Sequence, residues 1–334
     1  MKNDYCLGCG IKKQVDNKNE LGYVSSMDKE LCYDCYQLLH YGKVTNVNHP
    51  KRYFEIAENS VVLIIQSVMQ LDLLFSLPIT RIQNNAKYVY IINQVDLLPK
   101  DTNLDLLHAN IVKLAHINKI NYSDIILMSA LNKEDIKNLS EHISTFKESN
   151  IYLFGYQNSG KTTIFKGLTN NQHALNMNKS GLTQDVIIDK FQDKTIYDMP
   201  GAYTNGYLED FFSYEEYKNF LPSKTMKPKI YQINNKQKLV IEDIFEFTIS
   251  SDDKSTVVLY MNNNLKINRY NIANENDYLN KKFEYNTRDF RVNEKNKSQV
   301  TIADLGFIHL QGTFNISLTV PKGIHITVSE ALFK

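Results

Sequence analysis

Two short stretches of this chain have the residue types to handle a triphosphate, and a third has those to read a purine base. The run Gly155-Tyr-Gln-Asn-Ser-Gly160-Lys161-Thr162 fits the spacing G-x4-G-K-[ST]. In such a loop the backbone N–H groups, here including those of Asn158, Ser159 and Thr163, surround phosphate oxygens. Lys161 would reach the β and γ oxygens, and the Thr162 hydroxyl would ligate Mg2+. Asp198-Met-Pro-Gly201 adds a carboxylate that can hold Mg2+ through water and an N–H, at Gly201, that can sense a γ-phosphate. Between them, "SGLTQDV" offers Thr183 as a second hydroxyl ligand for Mg2+.

The base-reading candidate is Asn93-Gln-Val-Asp96, close to N-K-x-D with Gln94 in place of the lysine whose stem covers the base. Asp96 would accept hydrogen bonds from guanine N1–H and from its 2-amino group. Adenine supplies neither, and a buried, unpaired carboxylate would penalise it by a few kcal/mol. Ser129-Ala130 matches the pair whose backbone completes such a pocket. The predicted ligands are GTP and GDP with Mg2+.

All four cysteines fall near one end, as Cys6-x2-Cys9 and Cys32-x2-Cys35 separated by 22 residues. Two-residue spacing turns both sulfurs of a pair toward one ion, and two pairs make a closed tetrahedral site. Four thiolates leave no open position, so the expected Zn2+ is structural. Gly8 and Gly10 suit the tight knuckles. Disulfides or a redox pair fit less well, because no secretory context and no βαβ pattern surrounds them.

These groups need elements to position them. From about Ser60 to Met199 apolar runs such as "SVVLIIQSV", "KYVYIINQV", "SDIILMSA", "NIYLFG", "DVIIDKF" and "KTIYDMPG" alternate with amphipathic stretches such as "LDLLHANIVKLAHIN". This is the pattern of an α/β sheet covered by helices. The phosphate loop follows "IYLF" and opens the helical "TTIFKGLT", as its chemistry requires. The base reader precedes the phosphate loop, the reverse of a small GTPase. The predicted fold is therefore a circularly permuted P-loop GTPase domain, its sheet preserved and its chain ends moved to another surface turn. Its switch II would lead straight into the C-terminal region.

From about Leu221 short alternating runs replace the α/β pattern and predict a mostly β, antiparallel C-terminal domain. The polar stretch Asn280 to Ser298 reads as a loop or helical insertion. Lys and Tyr interleave in "KTMKPKIYQINNKQK", an arrangement shared by RNA surfaces and by ordinary edge strands. The expected division is a zinc ribbon over 1–48, the permuted GTPase domain over 49–220 and the β-rich domain over 221–334.

The 334 residues are 43% hydrophobic and 22% charged, with a formal net charge of +1. That near-neutral balance gives no global basic field, so no DNA partner is read from it. No apolar run reaches the roughly 20 residues needed to span a bilayer, and no secretory layout opens the chain. A cytoplasmic protein with no membrane partner is the expectation. The eight histidines are scattered, and no nucleophile triad or open metal site emerges.

Ribbon, permuted GTPase and β-rich tail in this order resemble the YqeH family of bacterial GTPases, associated with assembly of the small ribosomal subunit. The likeness runs through "CLGCG", "LCYDCYQLLHY", "NQVDLLPK", "GYQNSGKTT" and "MKPKIYQIN" to "ADLGFIHLQG" and "VPKGIHITVSEALF". The resemblance implies a K+ ion beside the phosphates, associated with Asn158, which joins Lys161, Thr183 and Gly201 as the catalytic set. Ala202 stands where Ras-like enzymes carry a water-orienting Gln, and the family also lacks that Gln. Slow intrinsic hydrolysis, transient ribosome association and partners among small-subunit rRNA and proteins are implied. Departures from the family pattern are Gln94, Asp34 and Gln37 near the second cysteine pair, the strand "VVLIIQSVMQLD" and the segment "VIEDIFEF". A guanine-nucleotide-binding scaffold with little hydrolysis is the alternative. An ATP-using enzyme is disfavoured because Asp96 would lack a partner.

Overall fold

The computed structural model describes residues 6, 12–18, 20, 22–33, 36, 56–76, 83–170, 186–233, 235–251, 255–271 and 278–333. Cys9, Cys35, Thr183, Gly8, Gly10, Asp34 and Gln37 lie outside them. The chain packs as two compact units. The first comprises Met1–Val68, Leu73–Val95 and Leu114–Tyr203; the second comprises Met69–Asp72, Asp96–Lys113 and Thr204–Lys334.

The first unit holds a six-stranded sheet built from β1 (Val61–Ser67), β2 (Lys87–Asn93), β3 (Asp124–Leu127), β4 (Asn150–Gly155), β5 (Ile187–Phe191) and β6 (Lys194–Asp198). Their spatial order is β3-β2-β1-β4-β6-β5. All neighbours are parallel except β5 against β6. Every residue of the central β1 is buried, which is why its sequence is a continuous apolar run and not an alternating one. Helix α1 (Leu104–Ile117), most of which belongs to the second unit, follows β2 in the chain; α2 (Lys133–Ser144) follows β3 and α3 (Lys161–Thr169) follows β4. Asn132 caps α2 by accepting from the Glu134 N–H. Leu139 and Ile143 of α2 join Ile164 and Phe165 of α3 and Leu63 of β1 in one core.

In the same unit, at the cysteine-bearing end, Cys6, Val24 and Cys32 are buried. Lys13 is buried with them, its Nζ donating to the carbonyls of Met27 (3.0 Å) and Lys29 (2.8 Å). The ammonium thus staples two carbonyls of a segment with little apolar side chain to bury.

The second unit holds an antiparallel eight-stranded sheet. Its members are β7 (Lys229–Ile233), β8 (Gln237–Ile241), β9 (Phe245–Ser250), β10 (Ser255–Met261), β11 (Ile267–Asn271), β12 (Tyr285–Ile302), β13 (Gly306–Pro321) and β14 (Ile326–Glu330). The order β11-β8-β9-β13-β10-β7 is completed by β12 on β13 and β14 on β12. A short helix, α4 (Tyr214–Phe220), opens with a capping box between Ser213 and Glu216.

The expected loop or helical insertion over Asn280–Ser298 is corrected here. Most of it is the 18-residue strand β12, paired with β13 from Tyr285↔Pro321 to Ile302↔Gly306 with a register shift between Glu294 and Ser298. A long, well-patterned partner strand offers a ladder of hydrogen bonds on either side of that shift, and that outweighs the weak strand preference of Asn, Glu and Lys.

Candidate nucleotide site

The phosphate loop is the turn between β4 and α3. Its backbone passes through positive φ twice, at Asn158 (61°) and Gly160 (89°), before the helix starts at Lys161. Gly160 is required on two counts. Its φ is left-handed, and a Cβ there would lie 2.1 Å from Asn93 Nδ2. Ser159 is fully buried and its Oγ has no hydrogen-bond partner. Thr163 stands in the first turn of α3.

Lys161 and Asp198 are both buried, at 7% and 0% exposure. Burial pushes the lysine below its ordinary range, while Asp198 pulls it back up. Burial raises the Asp198 carboxyl, with Lys161 and the Thr162 hydroxyl acting in the opposite sense. Thr162 Oγ1 donates to Asp198 Oδ2 at 2.8 Å, and the other oxygen, Oδ1, is buried with no hydrogen-bond partner. A hydroxyl beside a carboxylate with one idle oxygen is the donor set of a hard divalent cation, so these residues fit Mg2+.

Gly201 lies where β6 leads back toward the loop. A Cβ on it would sit 2.9 Å from Gln157 Cγ and 3.3 Å from Lys161 Nζ, so a larger residue would force the Gln157 side chain to shift. The next residue closes the two segments together. Ala202 N donates to the Gly155 carbonyl at 2.9 Å, and Gln157 N donates to the Ala202 carbonyl at 3.1 Å. A movement of the Asp198–Gly201 turn therefore acts on the phosphate loop through the backbone.

Asn93 ends β2 and is 1% exposed. Its Nδ2 donates to the Ser159 carbonyl at 2.8 Å and its Oδ1 accepts from the Ala130 N–H at 2.8 Å. One side chain thus joins the phosphate loop to the Ser129-Ala130 pair. Ser129 is fixed in turn, its N–H donating to Asp135 Oδ2 at 2.8 Å and its Oγ accepting from the Leu131 N–H at 3.2 Å. Gln94, at φ 66°, donates through Nε2 to the Asn158 carbonyl at 3.3 Å and accepts from the Ser67 hydroxyl. The residue that replaces the expected lysine is therefore a strut between β1 and the phosphate loop. Spacing gave no sign of Ser67; only its place at the end of an apolar strand pointed toward the site.

Asp96 is counted with the second unit. It lies on a short 3-10 turn, Val95–Leu97, with its side chain exposed and its carbonyl accepting from Thr225 Oγ1 at 2.8 Å. Of the predicted nucleotide residues, the first unit brings together Asn93, Ser129, Ala130, Gly155, Asn158, Ser159, Gly160, Lys161, Thr162, Asp198 and Gly201. Thr183 is outside the described residues.

The cysteine site can be tested on two of its four members. Cys6 and Cys32 are buried, and the Cys32 N–H donates to Cys6 Sγ at 3.1 Å. An amide aimed at sulfur supports a thiolate, so these two residues fit a zinc knuckle. Among the described residues no group of three or more His, Cys, Asp or Glu is placed to hold a metal. None of their helices is long and apolar enough to cross a membrane.

Comparison with known proteins agrees with the site. Residues 150–263 match the family described as "50S ribosome-binding GTPase". The chain is 24% identical over 366 aligned residues to "Uncharacterized protein YqeH" of Bacillus subtilis (strain 168), covering 99% of this chain and 100% of that one. The resemblance to YqeH carried by the motifs therefore extends along the whole chain, and the phosphate loop lies within the stretch that matches the GTPase family.

Proposed function

We propose that this YqeH-type chain is a GTP-hydrolysing switch with a circularly permuted GTPase domain, acting on the assembling small ribosomal subunit. The observation that carries the nucleotide reading is Asn93, whose amide bridges the phosphate loop and the Ser129-Ala130 pair at 2.8 Å on each side. In this reading Lys161 holds the β and γ oxygens, while Thr162, Asp198 and Thr183 hold Mg2+, which neutralises charge on the phosphates. Asp96 and the Ala130 backbone read guanine. Asn158 holds K+, whose charge does part of the work that an arginine finger does elsewhere. Cys6, Cys9, Cys32 and Cys35 hold one structural Zn2+.

The linear plan is a zinc ribbon over 1–48, the GTPase domain over 49–220 and a β-rich interaction domain over 221–334, in a cytoplasmic protein that visits the ribosome transiently. The matched family's description speaks of the 50S particle, whereas the resemblance implies the small subunit. Both subunits therefore belong in the test. A second reading, a guanine-nucleotide scaffold with little hydrolysis, is favoured by Ala202. No side chain there can orient water, and its backbone is engaged by Gly155 and Gln157.

The deciding experiment measures binding of labelled GDP, GTP and ATP, then GTP turnover in K+ and in Na+ buffers, alone and with 30S or 50S subunits. The switch predicts guanine-selective binding and K+-stimulated turnover that rises with 30S particles. Binding without turnover under every condition supports the scaffold. Binding without guanine preference sinks both. Metal analysis should find about one zinc per chain.

A further inference from the structure

We propose that Thr225 is a positioning residue for Asp96, so that guanine selectivity is set in part from the C-terminal unit. The proposal rests on the nucleotide reading above and goes beyond it. A carboxylate that pairs with two adjacent N–H groups of a base must be held to within about half an ångström. The turn that carries Asp96 has little means of doing so by itself. It is a three-residue 3-10 turn, preceded by Gln94 in the left-handed region.

The Val95 N–H donates to the Met128 carbonyl at 3.3 Å, and what fixes Asp96 and Leu97 themselves comes from 129 residues further along the chain. Thr225 Oγ1 donates to the Asp96 carbonyl at 2.8 Å, and the next residue, Met226, donates its N–H to the Leu97 carbonyl at 2.8 Å. Leu97, Leu98 and Met226 are all buried, so the two segments are packed as well as hydrogen-bonded. The donating strap is itself rigid. Pro222 and Pro228 bracket it, each with a restricted φ.

The turn between β10 and β11 holds the strap in turn. Asn263 Nδ2 donates to the Thr225 carbonyl at 2.9 Å and its Oδ1 accepts from the Lys227 N–H at 2.8 Å. Asn262 Nδ2 donates to the carbonyls of Asn219 (2.8 Å) and Leu221 (2.9 Å). Every one of these residues belongs to the second unit. The chain of bonds runs from the β10–β11 turn through Thr225 to the peptide of Asp96. By linkage, occupancy of the guanine site and the order of this strap favour each other equally.

The test is the affinity of the full chain for GDP and for inosine diphosphate, which lacks only the 2-amino group that Asp96 would engage. The variants are T225V, T225S, N263A, D96A and the D96A/T225V pair. Wild type and T225S should prefer GDP alike. T225V and N263A should weaken GDP by roughly 3- to 10-fold while moving inosine diphosphate much less, the size expected for one hydrogen bond. D96A should abolish the preference, and adding T225V to it should change nothing further. The proposal is overturned if T225V leaves the GDP to inosine diphosphate ratio at the wild-type value, or if T225V lowers GDP affinity as much in the D96A background as alone. Loss of the hydroxyl acting only on folding would weaken both nucleotides equally, which also counts against it. If the wild type itself fails to prefer GDP over ADP, the nucleotide reading falls first, and the two failures are told apart by that control.

Discussion

At the scale of single residues, the site depends on Asn93 more than its motif suggests. The first residue of N-x-x-D is usually discussed with the base, yet here both ends of its amide are used within the protein, on Ser159 and Ala130. Removing the side chain would leave the buried Ser159 carbonyl without its partner, at a cost of about 1–3 kcal/mol, and the half-buried Ala130 N–H without its own, at less. Asn93→Ala is therefore expected to lower the thermal midpoint without any nucleotide present, and to weaken GDP at least tenfold. A variant with wild-type melting in the absence of nucleotide would show that the bridge is not structural. Much at this scale was legible in the sequence. Spacing points to the proximity of Lys161, Thr162 and Asp198, because a loop, a helix start and a strand end leave few other geometries, and the structure brings the three side chains together. Gln94 was legible only as a missing lysine, since its role depends on reaching Ser67 and the Asn158 carbonyl from another strand. No local pattern records such a contact. Thr225 left no signal at all for the same reason.

Elements are legible in the sequence where burial dictates the pattern, and far less so where a partner strand does. The central strands β1 and β2 are continuous apolar runs because they are covered on both faces, the outer β5 and β6 alternate, and all six strands lie within the runs expected. Strand β12 was missed because its polar residues are held by β13 across a ladder that the sequence of β12 does not announce. The same hairpin buries a histidine whose chemistry can be tested. His309 on β13 is 4% exposed, with Nε2 3.0 Å from Gln299 Oε1 on β12 and its ring against Tyr260 and Phe333. Gln299 Nε2 donates to Thr301, which leaves Gln299 Oε1 to accept from the imidazole N–H. Burial, aided by Lys297, pushes the histidine from 6.5 down to about 3. A base with a lowered pKa in the folded state is protonated first in the unfolded chain. Its contribution to stability is thus present above pH 6.5 and lost as pH falls toward 3. Between pH 6.5 and 5 the loss is about 2 kcal/mol. His309→Gln, which keeps a donor for Gln299, should flatten that part of the profile in urea titrations at several pH values, even if it is less stable at pH 7. An unchanged acid limb would mean that His309 is not the titrating group.

At the scale of the whole molecule, the packing units do not follow the order of the chain. Sequence pattern changes near residue 221, because that is where helices give way to short strands, and a boundary was expected there. Compactness divides the chain differently, assigning Met69–Asp72, Asp96–Lys113 and Thr204–Phe220 to the same unit as the C-terminal strands. The segment from Asp96 to Lys113 shows what this entails. Leu98, Leu107 and Ile111 are 2%, 0% and 0% exposed, and Asn110 Nδ2 donates to the Leu332 carbonyl at 2.9 Å. Fully burying side chains of this size contributes roughly 1.5–3 kcal/mol each. A fragment ending at Phe220 retains every motif residue for nucleotide but deletes Thr225, Met226 and Leu332, which satisfy this segment. It should therefore unfold at lower denaturant than the full chain, lose hydrogen-exchange protection across residues 97–113, and bind GDP more weakly because Asp96 is no longer held. Protection across β1 and β4 should survive far better, since their partners lie among β2 and β6. Equal protection of residues 97–113 in the fragment and the full chain would show that the linear boundary, and not the packed one, marks the folding unit. Asp96 lies just after β2 and Thr204 just after β6, and each opens a segment that packs with the C-terminal strands. In the function proposed above, recognition of the base then depends on a unit whose one nucleotide-motif residue is Asp96.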